Sequence, residues 1–285
     1  MPSQAGPGIE TRGSHAVSDR HFNLADLFEL VADTVPDRLA LVAGDVRATY
    51  AGLDTRANRF GNSLRGLGLG PGTHVGILAR NRAEWVEAMI GCYKARCVPI
   101  NLNYRYVAAE LRYVVDNADL EVLVYERELG PLVADALDGV TLDRPLHLLV
   151  VEDGTPPAPD PVATATGGAP VRYEDALAAA SGVRDDTPRS PDDLYVLYTG
   201  GTTGMPKGVI WRQEDIFFAA MGGGGWGMPP ITAADELVGR LNTDEAGRVP
   251  MLVVAPLMHG NAQWAMWNAF MMAGTAVLYL SLIHI

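Results

Sequence analysis

One stretch limits what this chain can fold into more than any other: Tyr198-Thr199-Gly200-Gly201-Thr202-Thr203-Gly204-Met205-Pro206-Lys207-Gly208-Val209. Ahead of it, Leu194 to Tyr198 is an apolar run that reads as a buried strand, and Gly208 to Trp211 behind it is a second short apolar run. Glycine at 200, 201, 204 and 208 lets backbone N–H groups turn inward with no Cβ in the way. Thr199, Thr202 and Thr203 add hydroxyl donors, and Lys207 adds a mobile positive charge, so a polyphosphate is the natural guest. The spacing is not that of a Walker A loop, and the element expected next is a strand and not a helix. The bland alternative is a flexible Gly/Thr hairpin. Against it, the chain holds 22 Lys plus Arg, yet only Lys94 and Lys207 are lysines, and one of these two closes the loop.

At 285 residues, 48% hydrophobic and 20% charged, the chain has the composition of a globular protein with a substantial core. Its formal charge of -12 argues against non-specific binding to nucleic acid or to an anionic membrane, while local basic pockets and peripheral membrane contact stay open. Cys92 and Cys97 have no second pair and no nearby His, so they read as reduced core thiols of a cytoplasmic protein. Residues 1–20 are polar and rich in Gly, Ser and Pro, the composition of a disordered tail without the apolar core of a signal peptide. The most apolar region, Met251 to Leu280, is broken by Pro256, His259, Gly260, Asn261, Gln263, Asn268 and Gly274, and reads as core, not as a transmembrane span.

In chain order, Leu24, Leu27, Phe28 and Val31 mark a helix capped by Asn23 and stopped by Pro36, and Gly44-Asp45 joins two strands, Leu39 to Ala43 and Val46 to Tyr50, in a hairpin. Leu53, Ala57, Phe60, Leu64 and Leu67 form a helical stripe that ends in a glycine cluster, read as a helix cap and turn because it precedes a strand and lacks the dinucleotide register. Strands at 74–79, 98–101, 121–125 and 147–152 then alternate with helices at 83–95 and 108–117 and a further short helix. Such alternation predicts an α/β domain whose mostly parallel sheet is covered on both faces. Residues 153–170 read as a surface excursion, 173–180 as a short helix and 181–193 as a polar connector. After the loop come a helix through Met221 with Glu214 and Asp215 at its start, and four glycines that either shape the wall of an apolar pocket or form a plain solvent loop. A buried strand at Met251 to Ala255 leads to His259, either a structural histidine or, at the carboxyl end of a strand, a functional one.

The motif at 198–209 resembles the phosphate-loop signature of the adenylate-forming superfamily, commonly Tyr-Thr-Ser-Gly-Thr-Thr-Gly-x-Pro-Lys-Gly-Val, with Gly200 in place of the frequent Ser. Three weaker stretches follow the superfamily's order: Ala48 to Leu53, Tyr93 to Asn101, and Pro256 to Gly260, with Arg96 and Cys97 departing from the small residues common there. The resemblance runs from about Leu24 to Leu280 and is similar in detail to bacterial acyl-CoA synthetases that act on fatty acids or steroid side chains.

The resemblance implies a fold, a reaction and a site. The fold is the N-terminal part of the adenylate-forming fold, with layered, mostly parallel sheets flanked by helices and without its small C-terminal domain. The reaction joins a carboxylate to the α-phosphate of Mg-ATP, then passes the acyl group from AMP to the thiol of CoA, so the implied partners are ATP, Mg2+, CoA and a fatty or bulky apolar acid. Thr199, Gly200, Gly201, Thr202, Thr203, Gly204 and Lys207 would grip the phosphates, with Lys207 and His259 in catalytic roles and no metal ligand among these residues. Expected boundaries are a tail at 1–20, a first subdomain at 21–180, and a second at 181–280 that begins with the phosphate loop. The final Leu-Ser-Leu-Ile-His-Ile matches the in-frame translation of a transposase adaptor end, so 280–285 reads as sequencing read-through in a truncated chain, the alternative being a real strand that continues Thr275 to Tyr279. Two rivals remain: an adenylation domain that loads a carrier-protein thiol, and a non-catalytic ATP-binding fragment.

Overall fold

A computed structural model describes residues 21–155, 162, 169–200, 204–243, 245–247 and 249–279. The expected tail, most of the 153–170 excursion and the expected read-through therefore lie outside the described residues.

The chain opens with α1 (Leu24–Thr34), whose cap is the expected one: Asn23 Oδ1 accepts the Ala25 N–H at 2.9 Å. Strands β1 (Leu39–Ala43) and β2 (Val46–Thr49) pair antiparallel across Gly44, which sits at φ 56°. Thr49 then caps α2 (Tyr50–Gly66) by accepting the Gly52 N–H at 3.1 Å, so Tyr50 belongs to the helix and not to the strand expected there. Three βα units follow: β3 (His74–Leu78), α3 (Ala83–Lys94), β4 (Val98–Asn101), α4 (Ala108–Asn117), β5 (Leu120–Glu126) and α5 (Gly130–Leu137). After β6 (His147–Val151) come a two-residue strand β7 (Val171–Arg172) and α6 (Tyr173–Ala179).

The glycine-rich stretch joins β8 (Leu194–Thr199) to β9 (Lys207–Arg212), followed by α7 (Gln213–Ala220). Next is α8 (Ala234–Leu241), which the sequence reading passed over although Leu237 and Leu241 stand one turn apart behind the acidic Asp235 and Glu236. The described chain closes with β10 (Met251–Val253), α9 (Gly260–Met271) and β11 (Ala276–Leu278).

Two sheets result. The larger has the order β7-β6-β5-β3-β4-β8-β9, parallel throughout except for β9 against β8. The smaller has the order β10-β11-β1-β2, so the first hairpin is completed by strands more than 200 residues later. Separate apolar clusters cover the two faces of the larger sheet, one built with α1, α2, α3 and α9 and the other with α4 and α5. The boundary expected at 180/181 does not divide the sheets, because β8 and β9 extend the sheet begun by β3.

One expected element is different. Met251 to Ala255 is not a fully buried strand: β10 stops at Val253, and Leu252 and Val254 are 58% and 43% exposed. An edge strand has a neighbour on one side only, and alternate residues of β10 face outward. Cys92 and Cys97 are free, buried thiols, as expected. No helix among the described residues is long and apolar enough to cross a membrane.

Candidate active site

Antiparallel pairing of β8 with β9 puts Thr199 opposite Lys207 and Tyr198 opposite Gly208. The strand expected after the loop is therefore present, and it returns along β8. Thr199, Gly200, Gly204 and Lys207 are all exposed around the mouth of this hairpin; Gly201, Thr202 and Thr203 lie outside the described residues.

The glycines have different physical reasons. A Cβ on Gly208 would meet the Tyr198 ring at 2.9 Å, so that glycine lets the aromatic ring lie across the strand pair. A Cβ on Gly200 or Gly204 would meet nothing within 4 Å, and neither residue has a positive φ. Among the described residues, neither packing nor backbone conformation calls for glycine at those two positions.

His259 stands in the N-cap position of α9 with extended backbone (φ -110°, ψ 141°), and its side chain makes no capping hydrogen bond. The next residue shows why the helix begins here. A Cβ on Gly260 would meet Leu197 Cδ2 at 2.6 Å and the Trp264 ring at 2.8 Å, so the first turn of α9 lies against β8. Partial burial, and then the positive charge of Arg105, hold the His259 imidazole below the usual histidine range. The ring is therefore neutral near pH 7, able to accept or donate a hydrogen bond without carrying charge.

Three buried amides hold this region, and the sequence reading assigned a role to none of them. Asn81 Oδ1 accepts the Leu257 N–H at 2.7 Å, while its Nδ2 donates to the carbonyls of Ala255 at 3.1 Å and Tyr279 at 2.9 Å. Gln263 Nε2 donates to the Leu257 carbonyl at 2.8 Å, and its Oε1 accepts from the Tyr195 hydroxyl. Asn101 joins the end of β8 to the His259 turn. The available signal was an amide residue at the end of an apolar run, as at Val98-Pro99-Ile100-Asn101, and the structure buries that amide to 5% exposure with its hydrogen bonds made.

Among the described residues, three carboxylates able to share a metal ion are Glu126, Glu128 and Asp153. Their oxygens already have protein partners: Arg80 Nη1 lies 2.6 Å from Glu126 and 2.8 Å from Glu128, and Asp153 accepts the backbone N–H groups of Glu128 and Thr155. The groups at the hairpin mouth are hydroxyl, amide and ammonium, which do not form a magnesium site of their own. A cavity of about 670 Å³ lined by Leu137, Val140, Leu142, Arg144 and His147 opens at the start of β6, the opposite edge of the sheet. Ligands of open α/β sheets gather at the carboxyl ends of the strands, so the hairpin mouth outweighs this hollow as the candidate site.

An α/β fold of this kind, with a Gly/Thr hairpin and a histidine turn at the carboxyl ends of its strands, has the layout in which open α/β sheets place their ligands, and this makes the hairpin mouth the candidate site. The sequence matches the AMP-binding enzyme family over residues 28–282, and the chain belongs to that family. It is 44% identical over 260 residues to a 3-oxocholest-4-en-26-oate–CoA ligase of Rhodococcus rhodochrous, covering 90% of this chain and 45% of the relative. It is 42% identical over 265 residues, with the same coverage of both chains, to a medium/long-chain-fatty-acid–CoA/3-oxocholest-4-en-26-oate–CoA ligase of Mycobacterium tuberculosis. The chain thus spans about half the length of the curated relatives it matches. Among solved structures, the anthranilate CoA ligase AuaEII with anthranoyl-AMP superposes with a TM-score of 0.72 at 22% identity, covering 92% of this chain and 45% of that one. The N-terminal domain of FACL13 from Mycobacterium tuberculosis superposes with a TM-score of 0.70 at 23% identity, covering 91% and 57%. These two likenesses are of fold.

Proposed function

We propose that the whole protein activates an apolar carboxylic acid with ATP, forming an acyl-adenylate and pyrophosphate, and then transfers the acyl group to CoA. The observation that carries this reading is the hairpin mouth, where Thr199 faces Lys207 beside two glycines that no neighbour among the described residues requires. Oriented N–H and hydroxyl donors with one ammonium suit the β- and γ-phosphates, where negative charge accumulates as pyrophosphate departs. Lys207 would neutralise that charge, and His259, uncharged, would stand beside the acyl group without repelling or trapping its carboxylate. Magnesium is proposed only as the companion ion of the triphosphate, whose charge it shields. Kinship with ligases of 3-oxocholest-4-en-26-oate and of medium and long fatty acids supports a bulky apolar acid as substrate and CoA as acceptor.

The test is carboxylate-dependent exchange of labelled pyrophosphate into ATP by the whole protein, with a steroid side-chain acid and a fatty acid as substrates. The expected result is exchange with either acid and a loss of about 100-fold or more for Lys207→Ala, the scale of one removed transition-state donor. Unchanged exchange in that variant removes Lys207 from the mechanism, and absence of exchange with any carboxylate sinks the reading. Product analysis with CoA against a carrier protein decides the acceptor.

A further inference from the structure

Asn101 ends β4 and is buried, and its amide stands between the two halves of the candidate site. Oδ1 accepts the Tyr198 N–H at 2.7 Å, while Nδ2 donates to the Tyr198 carbonyl at 2.9 Å and the Met258 carbonyl at 2.5 Å. Tyr198 immediately precedes Thr199, and Met258 immediately precedes His259. Only one orientation of the amide serves these partners, because an N–H needs the oxygen and two carbonyls need the nitrogen. Backbone pairing of β4 with β8 is at Ile100 and Val196, one residue before Asn101, and the side chain of Asn101 carries the junction on to Tyr198.

We propose that Asn101 is a positioning residue that holds the entry of the phosphate hairpin and His259 in fixed relation. The proposal rests on the function above for what those two groups do, but the clamp itself is read from hydrogen bonds alone. Few side chains replace it. Aspartate keeps the acceptor and turns a carboxylate oxygen toward two carbonyls, serine has one proton for two acceptors, and leucine leaves all three backbone groups buried without partners. Asn81 provides the contrast, since it holds Ala255, Leu257 and Tyr279 on the His259 side and has no bond to β8.

The experiment compares folded-state NMR spectra of the 285-residue chain, wild type, Asn101→Ser and Asn81→Ser, following the Thr199 backbone amide and the His259 ring. Asn101→Ser is expected to move both signals, and Asn81→Ser to move His259 and leave Thr199 in place. A residue that only stabilised the fold would lower the melting temperature and leave both signals where they were. Either signal unmoved in Asn101→Ser overturns the proposal. Should that variant not fold, the wild type decides: the Tyr198 N–H is expected to exchange with water at least about 100-fold more slowly than an unprotected amide, and fast exchange refutes the clamp.

The same samples are titrated with inorganic pyrophosphate. Its dissociation constant should rise about tenfold in Asn101→Ser, the loss of one such hydrogen bond, and stay within about twofold in Asn81→Ser. Unchanged affinity in Asn101→Ser overturns the link to the ligand. A wild type that binds no pyrophosphate overturns the phosphate reading of the hairpin instead, and the ligand-free spectra still decide Asn101.

Discussion

Gly208→Ala is the substitution whose consequence follows most directly from the geometry. The new Cβ would lie 2.9 Å from Tyr198 Cε2, 3.2 Å from Cζ and 3.4 Å from Cδ2, whereas carbon atoms in ordinary contact stand about 3.5–4.0 Å apart. Something must give by roughly 0.6–1 Å. The ring is not free to do so: its hydroxyl donates to Asn117 Oδ1 at 2.8 Å, and its backbone is held on both sides by Asn101. Strand β9 is an exposed edge with no outer neighbour among the described residues, so it is the element that moves. Overpacking at such a yielding site costs about 1 kcal/mol of stability, the low end for small-to-large changes.

Function pays more than the fold does, because Lys207 is the next residue and shifts with the strand. A displacement near 1 Å costs on the order of 10²-fold where groups must be aligned for reaction, and about tenfold in binding is the corresponding expectation for pyrophosphate. Isothermal titration with pyrophosphate and thermal melting of the same sample measure the two effects. Tyr198→Leu removes the obstructing ring edge, so the double variant should bind better than Gly208→Ala alone. Wild-type affinity in Gly208→Ala, or a double variant with no recovery, would refute the steric argument.

Three further outcomes are expected. Lys94, only 2% exposed, bonds Glu29 and lies 2.8 Å from Asp54 at an angle outside hydrogen-bond geometry. Since Arg189 and Arg184 still serve those carboxylates, Lys94→Met should cost about 3 kcal/mol in urea unfolding, the low end for a broken buried pair; a loss below about 1 kcal/mol would refute it. His259 should titrate below the ordinary value of about 6.5 by NMR, and Arg105→Gln should raise its pKa partway back; its contribution to stability is present above that ordinary value and lost as the pH falls through the depressed folded one. Burial pushes the Cys97 thiol up to about 12 and the Cys92 thiol well above its usual range, so neither should react with a thiol reagent at pH 7 until urea unfolds the chain; rapid labelling of the native protein would contradict this.

The layout of the candidate site was legible where its geometry is local. A strand, a glycine- and threonine-bearing connection and a returning strand are contiguous, so Thr199 and Lys207 face each other for reasons contained in the stretch itself. The same holds for the Asn23 cap and for the stripe of α2 from Leu53 to Leu64, where neighbours in sequence are neighbours in space, although Leu67 falls past the helix end and is exposed. What escaped was of another kind. The exposed alternation of β10 depends on which sheet edge it occupies, and the buried amides Asn81, Asn101 and Gln263 find their partners across long stretches of chain.

Sequence by itself determined most of the elements, the parallel α/β character and the hairpin motif, because periodicity, capping and glycine content act over a few residues. Tertiary structure decided that β1 and β2 are finished by β11, that β8 joins the sheet begun by β3, and that one asparagine touches both Tyr198 and Met258. Those choices depend on which buried N–H and C=O groups remain to be satisfied after the chain has closed on itself, a condition no short stretch contains.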